Sequence, residues 1–258
     1  MSKIISIANQ KGGVGKTTTA INLSSALSKL GRHVLVVDFD PQGNAGRGFG
    51  VDITALKTSI CDVLSGRLPF SRVVLREVIP GVDIIPSNLK LAAFDITTNP
   101  KFAGQPYYAM KGILDNVKDK YDYIIIDCPP SLGLFSINAM VASDSVIIPV
   151  QCEYFAMEAV AAVLSSITTI QQRYNPSLTI EGLLLTMYDP RTRLGTEVTR
   201  EVRGLFKENT FSSVVPRNIS IPEASARGEP VTSFRPNAQG SLAYFALARE
   251  VIDHEKNA

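Results

Sequence analysis

The sequence predicts an α/β fold with a doubly wound, mostly parallel sheet and helices on both faces. Short runs rich in Val and Ile alternate with longer helical patterns along the chain. The runs at residues 4–8, 34–37 and 123–126 are almost wholly apolar, which is typical of strands buried on both faces. Two of these runs end in an acid, Asp38 and Asp127. The run at 4–8 leads into a glycine-rich loop. Because ligands bind at the carboxyl ends of parallel strands, we expect a site there.

The composition sets the broad class of the protein. With 258 residues, 45% apolar content and no linker-like tract or repeat, the chain is predicted to form one domain over residues 1–258. The first apolar run is too short for a signal peptide, and no run approaches the roughly 20 residues that span a bilayer, so we expect a cytoplasmic location. Three widely spaced cysteines, Cys61, Cys128 and Cys152, are predicted to be reduced thiols. Because the formal net charge is only +2, nucleic-acid binding would require a local basic patch.

The glycine-rich loop, residues 9–19, has the residue types of a triphosphate site. Its glycines let the backbone turn with N–H groups pointing inward, and a helix predicted over Ala20–Leu30 adds positive potential at its N-terminus. Lys16 would reach the β- and γ-phosphates, and the Thr17 hydroxyl would ligate Mg²⁺. A glycine turn that binds nothing is the alternative. The predicted phosphate-binding residues of the loop after its first lysine are Gly12, Gly13, Val14, Gly15, Lys16, Thr17 and Thr18.

The loop departs from the usual pattern at its head. Gln10 stands where the first glycine is expected, and Lys11 supplies a second lysine. The loop resembles the deviant Walker A motif of the ParA/MinD ATPases, which are P-loop NTPases. This resemblance implies ATP and Mg²⁺ as cofactors and a catalytic set of Lys11, Lys16 and Asp40. It also implies that Lys11 reaches across a homodimer to the partner's phosphates, which makes ATP binding and dimerisation one event.

Carboxylates at strand ends give the predicted magnesium site. The stretch Asp-Phe-Asp-Pro-Gln-Gly-Asn over residues 38–44 closely matches the family's switch I motif. By that resemblance Asp40 orients or activates the attacking water, and Asp38 helps to organise the magnesium shell. For either aspartate, a role that only caps the next turn is the alternative. Asp127 has the position of the Walker B acid, which holds Mg²⁺ directly or through water. The predicted metal residues are Thr17, Asp38, Asp40 and Asp127.

Cys128 begins a loop, residues 128–133, that resembles switch II. The nitrogenase iron protein shares this scaffold and has a cysteine near switch II, so an iron–sulfur cluster is a rival interpretation. That protein needs two cluster cysteines per chain in matched loops, and the sequence has no second one suitably placed. A small buried thiol is therefore the preferred interpretation.

The rest of the sequence predicts further strands and helices, and the family resemblance implies a site for the adenine base. Strands are predicted at 82–86, 145–150 and 180–187, with a last strand ending in 214–218. Helices are predicted at 59–64, 88–94, 108–118, 154–174, 196–208 and 239–256. By resemblance, the adenine would lie against Met187, Asp189, Pro216, Arg217 and Asn218.

The final helix carries Glu250, Asp253 and Glu255 against Arg249 and Lys256, so we expect it to pack on the sheet and not to bind anionic lipid.

A basic patch is predicted on the helix over 196–208. Arg200, Arg203 and Lys207 are three and four residues apart and share one face. The charge pattern alone favours a solvated face interleaved with acids. The resemblance favours nonspecific double-stranded DNA, since ParA dimers hold DNA through arginines in this part of the chain. Ser220 replaces a further DNA-contacting arginine of close relatives, which predicts weaker DNA affinity or contacts made by other residues. The predicted DNA-binding residues are Arg191, Arg193, Arg200, Arg203, Lys207, Arg217 and Arg227.

The resemblance covers essentially the whole chain and is strongest to the small ParA/Soj partition ATPases. It implies an ATP-dependent homodimer on nonspecific DNA, slow hydrolysis stimulated by a ParB-like centromere-binding protein, and a nucleoid-associated location. No membrane partner is expected. Two alternatives stay open: a MinD-like positioning ATPase that cycles on a membrane, and a positioning or assembly factor for a non-DNA cargo.

Overall fold

The computed structural model describes residues 2–257, apart from the side chains of Glu208, Lys256 and Asn257. The domain predicted over 1–258 therefore extends one residue past the described part at each end. The charge of Lys256, which entered the prediction for the last helix, also lies outside the described side chains.

Eight strands in the described part form a single sheet. They are β1 Lys3–Ile7, β2 Val34–Asp38, β3 Leu75–Ile79, β4 Val82–Ile85, β5 Tyr123–Asp127, β6 Ser145–Gln151, β7 Thr179–Tyr188 and β8 Thr210–Pro216. Their order is β3-β4-β2-β5-β1-β6-β7-β8. All neighbours are parallel except β3 and β4, which confirms the predicted mostly parallel sheet. Since β1 lies between β5 and β6, the loop after β1 lies in the middle of the sheet's carboxyl edge.

The edge strand β3 was not predicted from the sequence. Its residues, Leu-Arg-Glu-Val-Ile, are only partly buried and pair antiparallel with β4. The register shifts between Leu75 and Ile79, and Glu77 has a φ of 47°. An irregular edge strand of mixed polarity lacks the continuous apolar run that identifies the central strands.

Helices connect the strands and cover the sheet. They are α1 Lys16–Lys29, α2 Asn44–Gly48, α3 Ile60–Leu64, α4 Ala109–Leu114, α5 Leu134–Ala142, α6 Ala156–Arg173, α7 Arg193–Phe206, α8 Ser220–Arg227, α9 Val231–Phe234 and α10 Gln239–Asn257. Two predicted helices are shorter than expected. The segment at 88–94 forms a 3₁₀ turn over Leu89–Ala93, and 108–118 contains only α4 and flanking turns. Just after α4, the Asn116 side chain donates to the Gly112 carbonyl (2.6 Å), a local bond that competes with further helix.

Two hydrophobic cores lie on opposite faces of the sheet. Along β5, Ile124 and Ile126 face the core that α5, α6 and α7 cover, whereas Tyr123 and Ile125 face the core that α1, α8 and α10 cover. Burial on both sides explains why the central strands have continuous apolar runs. The last helix, α10, packs on β8 and α1, as the sequence predicts. No helix in the described part is long and apolar enough to cross a bilayer.

Candidate functional site

The glycine-rich loop turns directly from β1 into α1. Gly13 and Gly15 have φ values of 74° and 94°, in the left-handed region that glycine adopts without strain. Gly15 is the N-cap of α1, and no side chain caps this end. The helix begins at Lys16, four residues before the predicted start, because the loop itself forms its first turn. The N-terminal N–H groups of a 14-residue helix are thus available to an anion.

Two side chains that the sequence analysis did not single out hold this loop in place. The Asn9 amide donates to the Pro149 carbonyl (2.7 Å), and its oxygen accepts the N–H of Lys11 (3.0 Å). The Thr186 hydroxyl, at the end of β7, donates to the Val14 carbonyl (2.9 Å). Asn9 and Thr186 are almost completely buried, so both bonds act in a water-poor environment. Their role depends on contacts distant in sequence, which local patterns do not reveal.

The two lysines of the loop have different surroundings. Lys16 is 6% exposed, and its ammonium donates to the Lys11 carbonyl (3.0 Å). Burial lowers the Lys16 pKa, and the nearby carboxyl groups of Asp127 and Asp40 act in the opposite direction. Lys11 is half-buried, with 31% of its side chain exposed, and its ammonium lies 3.5 Å from a carboxylate oxygen of Glu153. The Lys11 side chain therefore points along the rim of the site.

A cavity of about 310 Å³ lies above the loop. The glycine-rich loop and Lys16 form part of its wall, and backbone N–H groups and a lysine suit phosphate groups. Asp40 lines it and is fixed by the Gln42 N–H, which donates to the Asp40 carboxylate (2.9 Å). Lys11 does not line it. The lining residues are Gly12, Gly13, Gly15, Lys16, Thr17, Thr18, Asp40, Gln42, Asn44, Pro130 and Met187.

Two fully buried carboxyl groups lie side by side beneath this cavity. Asp38 and Asp127 are paired in register on neighbouring strands. Burial and the charge of Asp40 raise the pKa of Asp38 to about 7. The hydrogen bonds from the N–H groups of Gly46 and Asp40 act in the opposite direction. Burial and the charge of Asp38 raise the pKa of Asp127 well above its ordinary value.

The carboxylates differ in their hydrogen bonds. Asp38 accepts the N–H of Gly46 (3.0 Å) and that of Asp40 (3.3 Å), so it caps the following turn, as one of the two sequence interpretations proposes. Neither oxygen of Asp127 has a hydrogen bond of normal geometry within the described chain. The Thr17 hydroxyl interacts with this carboxyl group and opposes the rise in its pKa. An acid this deeply buried still favours a cation or a proton, and Asp127 beside the Thr17 hydroxyl fits Mg²⁺.

Magnesium would need further ligands at this point. In the described part, no three His, Cys, Asp or Glu side chains converge on a metal position. Mg²⁺ usually takes one or two carboxylates and fills its octahedron with water and substrate phosphates. The residues present therefore fit a magnesium ion that arrives with a nucleotide, and not a resident metal.

A second cavity, of about 380 Å³, adjoins the loop at Gly15 and Thr18. Its wall is mostly apolar, which suits a planar base. Four of the predicted base-binding residues lie here, namely Met187, Pro216, Arg217 and Asn218. The sequence analysis missed its other lining residues, which are Thr186, Val215, Ile221, Pro222, Ser225 and Tyr244.

Asp189 does not line this cavity. Both of its carboxylate oxygens accept from the Arg191 guanidinium, at 2.9 and 2.7 Å. This pair, with the Arg191 backbone N–H, lowers the Asp189 pKa to about 2. Asp189 thus positions Arg191 and does not face the base site. Met187 has a φ of 52°. The backbone therefore turns between Met187, which lines the cavity, and the Asp189–Arg191 pair, which does not.

The predicted DNA-binding residues lie on more than one surface. Arg193, Arg200, Arg203 and Lys207 are exposed on or just after α7, as the spacing predicts. Arg193 pairs with Glu197 (2.8 Å), and Arg203 donates to the Ser212 carbonyl (3.0 Å). Arg217 donates its N–H to the Tyr188 carbonyl and is near Asp189.

Arg227 lies apart from this group. It is on α8, which belongs to the opposite face of the sheet from α7, and its guanidinium lies 4.9 Å from the Phe234 ring centroid. The structure therefore does not bring this predicted DNA-binding residue together with those on α7.

Cys128 has the environment of a structural thiol. It is free, fully buried, and its N–H donates to the Ile7 carbonyl. Burial raises its pKa strongly, so the thiolate that an iron–sulfur cluster requires is disfavoured. The buried-thiol interpretation is therefore confirmed, and Cys61 and Cys152 are also free and buried.

Comparison with known proteins identifies the family. A family model described as an AAA domain matches residues 2–180. The sporulation initiation inhibitor protein Soj of Bacillus subtilis is 44% identical over 251 residues, 97% of this chain and 98% of Soj. The chain belongs to the ParA/Soj family. Another relative, the chromosome partitioning protein ParA of Caulobacter vibrioides, is 41% identical over 257 residues, 99% of this chain and 96% of that protein.

Solved structures extend the ParA/Soj assignment to the fold. Cobyrinic acid a,c-diamide synthase from Mycobacterium smegmatis, with bound ADP and magnesium, has a TM-score of 0.85 at 33% identity, over 99% of this chain and 96% of that one. The septum site-determining protein MinD from Pyrococcus horikoshii, complexed with Mg-ADP, has a TM-score of 0.78 at 29% identity, over 97% and 96%. The ParA/MinD relationship and the α/β fold are confirmed.

Proposed function

We propose that this ParA/Soj family member is a DNA-partitioning ATPase whose ATP-bound homodimer holds nonspecific DNA and whose hydrolysis, stimulated by a ParB-like partner, releases it. The observation that carries this proposal is the position of the two loop lysines. Lys16 faces the cavity of its own chain, whereas Lys11 lies on the rim and does not line that cavity. A cation at the rim is suited to a phosphate that a second chain brings.

Each part of the phosphate site has a role in this scheme. The loop N–H groups and Lys16 bind the phosphates, and Thr17 and Asp127 would hold the magnesium that travels with them. Magnesium supplies charge neutralisation on the phosphoryl oxygens. Asp40 lines the cavity and orients the attacking water, while Asp38 holds the turn that carries Asp40.

The basic surface of α7 supports nonspecific DNA as the cargo. Arg200, Arg203 and Lys207 are exposed, and cations of this kind neutralise phosphates without reading base sequence. Names of relatives such as the chromosome partitioning protein ParA agree with a cargo of DNA. We expect the nucleoid as the site of action for this reason.

A MinD-like cycle on a membrane is the second candidate, and the position of α10 argues against it. Glu250 accepts the N–H groups of Ser212 and Ser213, both at 2.7 Å, and Tyr123 donates to Glu255 (2.7 Å). Glu250 and Glu255 thus tie α10 to the sheet. Flotation with anionic liposomes and ATP separates the candidates, since a partition ATPase stays with the soluble fraction.

Light scattering with ADP, ATP, and ATP plus random DNA tests the proposal. Wild type should be a monomer with ADP, a dimer with ATP, and bound to DNA only with ATP. An Asp40→Ala variant should dimerise on ATP without turnover, and a Lys11→Ala variant should bind nucleotide as a monomer. Normal hydrolysis by Asp40→Ala would remove Asp40 from its role, and ATP-driven dimers of Lys11→Ala would overturn the proposal.

A further inference from the structure

Two adjacent aromatic rings project into solvent beside the phosphate loop. Tyr154 is 78% exposed and Phe155 is 57% exposed, although both belong to residue types that proteins usually cover. The rings contact each other edge to face, with centroids 5.1 Å apart and an interplanar angle of 86°. Such a pair forms a small apolar patch that has one side open.

The segment that carries these rings is held in a defined place. Glu153, immediately before them, lies 3.5 Å from the Lys11 ammonium and also accepts from the Gln151 amide (2.6 Å). Cys152 donates its N–H to the carbonyl of Thr186, the residue whose hydroxyl holds the phosphate loop. On the other side, Phe155 is the N-cap of α6. The rings are therefore fixed relative to Lys11.

This geometry decides what must approach the rings. A lysine side chain reaches about 6 Å, so a second chain whose phosphates meet Lys11 must come within that distance of it. Glu153 is already in contact with Lys11, and the two rings follow it in the chain. A partner surface that serves Lys11 must consequently lie over the segment 153–155, and twofold symmetry places the same segment of the partner in the interface.

We propose that Tyr154 and Phe155 form an aromatic contact with a second copy of this chain in the nucleotide-driven dimer. The inference rests on the proposed function, because it names a surface of the same dimer. Aromatic residues at the centre of an interface contribute strongly to affinity, since their rings bury a large area at little cost in side-chain entropy. Lys11 would give the dimer its dependence on nucleotide, and the rings would give it affinity.

A double variant, Tyr154→Ser with Phe155→Ser, tests the contact. With a non-hydrolysable ATP analogue and Mg²⁺, sedimentation equilibrium should show a dimer dissociation constant at least about tenfold above that of wild type. Binding of fluorescent ADP by the monomer should be unchanged, because neither ring lines the nucleotide cavities. Leu89→Ser is the matched control, since Leu89 is 68% exposed in a 3₁₀ turn after β4. A dissociation constant equal to that of wild type would overturn the inference.

A fluorescence measurement tests the same contact without removing it. The chain has no tryptophan, so a Tyr154→Trp variant is a single-tryptophan protein. Its emission should shift to shorter wavelength with the ATP analogue, in proportion to the dimer fraction, but not with ADP; a Leu89→Trp variant should not shift. A sample that is dimeric by light scattering but shows solvent-exposed emission, or shifts only when DNA is added, would overturn the inference and leave the proposed dimer intact. Absence of a wild-type dimer would overturn both.

Discussion

Asp127 illustrates how single residues in this site are arranged for a ligand and not for stability. Its carboxyl group is fully buried, neighbours a second buried acid, and has no hydrogen bond of normal geometry in the described chain. A polar group in this position destabilises the fold. A cation that enters with a nucleotide would offset this cost.

An Asp127→Asn substitution should therefore stabilise the nucleotide-free protein while abolishing its magnesium-dependent activity. Replacing the acid by a neutral amide removes the cost of burying its charged form, so at alkaline pH the free energy of unfolding should rise by about 1.4 kcal/mol for each unit by which the Asp127 pKa is raised. Thermal denaturation without nucleotide measures it. Asp38→Asn is the control, since an amide in that position leaves one of two backbone donors without an acceptor and should not stabilise. A lower melting temperature for Asp127→Asn would contradict this account.

The same carboxyl groups predict how stability depends on pH. The Asp38 pKa is raised to about 7 in the folded chain, so the native state binds this proton more tightly than the unfolded state. With respect to this group, the stability of the nucleotide-free protein should thus be highest below the ordinary Asp pKa of about 4, and should fall as the pH rises from there to about 7. The fall should be a few kcal/mol, since one pKa unit corresponds to about 1.4 kcal/mol. Urea denaturation across this range checks the sign, and Asp127→Asn should flatten the curve.

At the scale of elements, α7 shows that exposed arginines are not equivalent. Arg193 and Arg191 already have carboxylate partners, Glu197 and Asp189. Arg200 has no ion pair with any described residue. A cation without an internal partner gives up less when it binds a phosphate, so Arg200 should contribute more to DNA binding than its neighbours.

Replacing Arg200 with Ala should reduce the salt dependence of DNA binding. The slope of log K against log salt concentration should fall in magnitude by about 0.9, the value for one lost phosphate contact. Arg193→Ala is the matched control on the same helix and should change the slope less. Binding to random DNA by fluorescence anisotropy, with the ATP analogue at several salt concentrations, gives both slopes. Equal slopes for all three proteins would assign the DNA surface elsewhere.

Elements also show where sequence patterns are sufficient. The central strands and the phosphate loop follow from continuous apolar runs, from glycines at positive φ, and from acids at strand ends, all of which are local features. The edge strand β3 and the early end of α4 were missed, because a register shift and a side-chain bond at Asn116 decide them. At the site, six of the eight predicted phosphate residues line the loop cavity, and Lys11 and Val14 do not. Asn9, Thr186 and Tyr244 were not predicted, because strands and helices distant in sequence bring them there. The family resemblance placed Asp189 at the adenine, whereas in the structure Asp189 pairs with Arg191 and does not line that cavity.

At the scale of the whole molecule, the carboxyl edge of one sheet brings together the phosphate cavity, the rim lysine and the start of α6. Lys11 joins them, since its carbonyl binds Lys16 and its ammonium lies next to Glu153. In the proposed cycle, nucleotide binding and association with a second chain are coupled through this one residue. Such coupling should appear in the overall stability of the protein, because a ligand or partner that binds only the native state stabilises it.

The melting temperature should consequently depend on protein concentration only when the non-hydrolysable ATP analogue and Mg²⁺ are present. With ADP and Mg²⁺, saturation at 100 times the dissociation constant should add about 2.7 kcal/mol, which corresponds to roughly 5 to 10 °C, independently of protein concentration. With the analogue, the temperature should rise further as protein concentration increases, because dimerisation adds a second native-only equilibrium. Lys11→Ala should keep the ADP-like increase and lose the concentration dependence, since its own phosphate cavity is unchanged but the charge for the partner is absent. Equal concentration dependence in wild type and Lys11→Ala would show that this lysine does not link the nucleotide to the second chain.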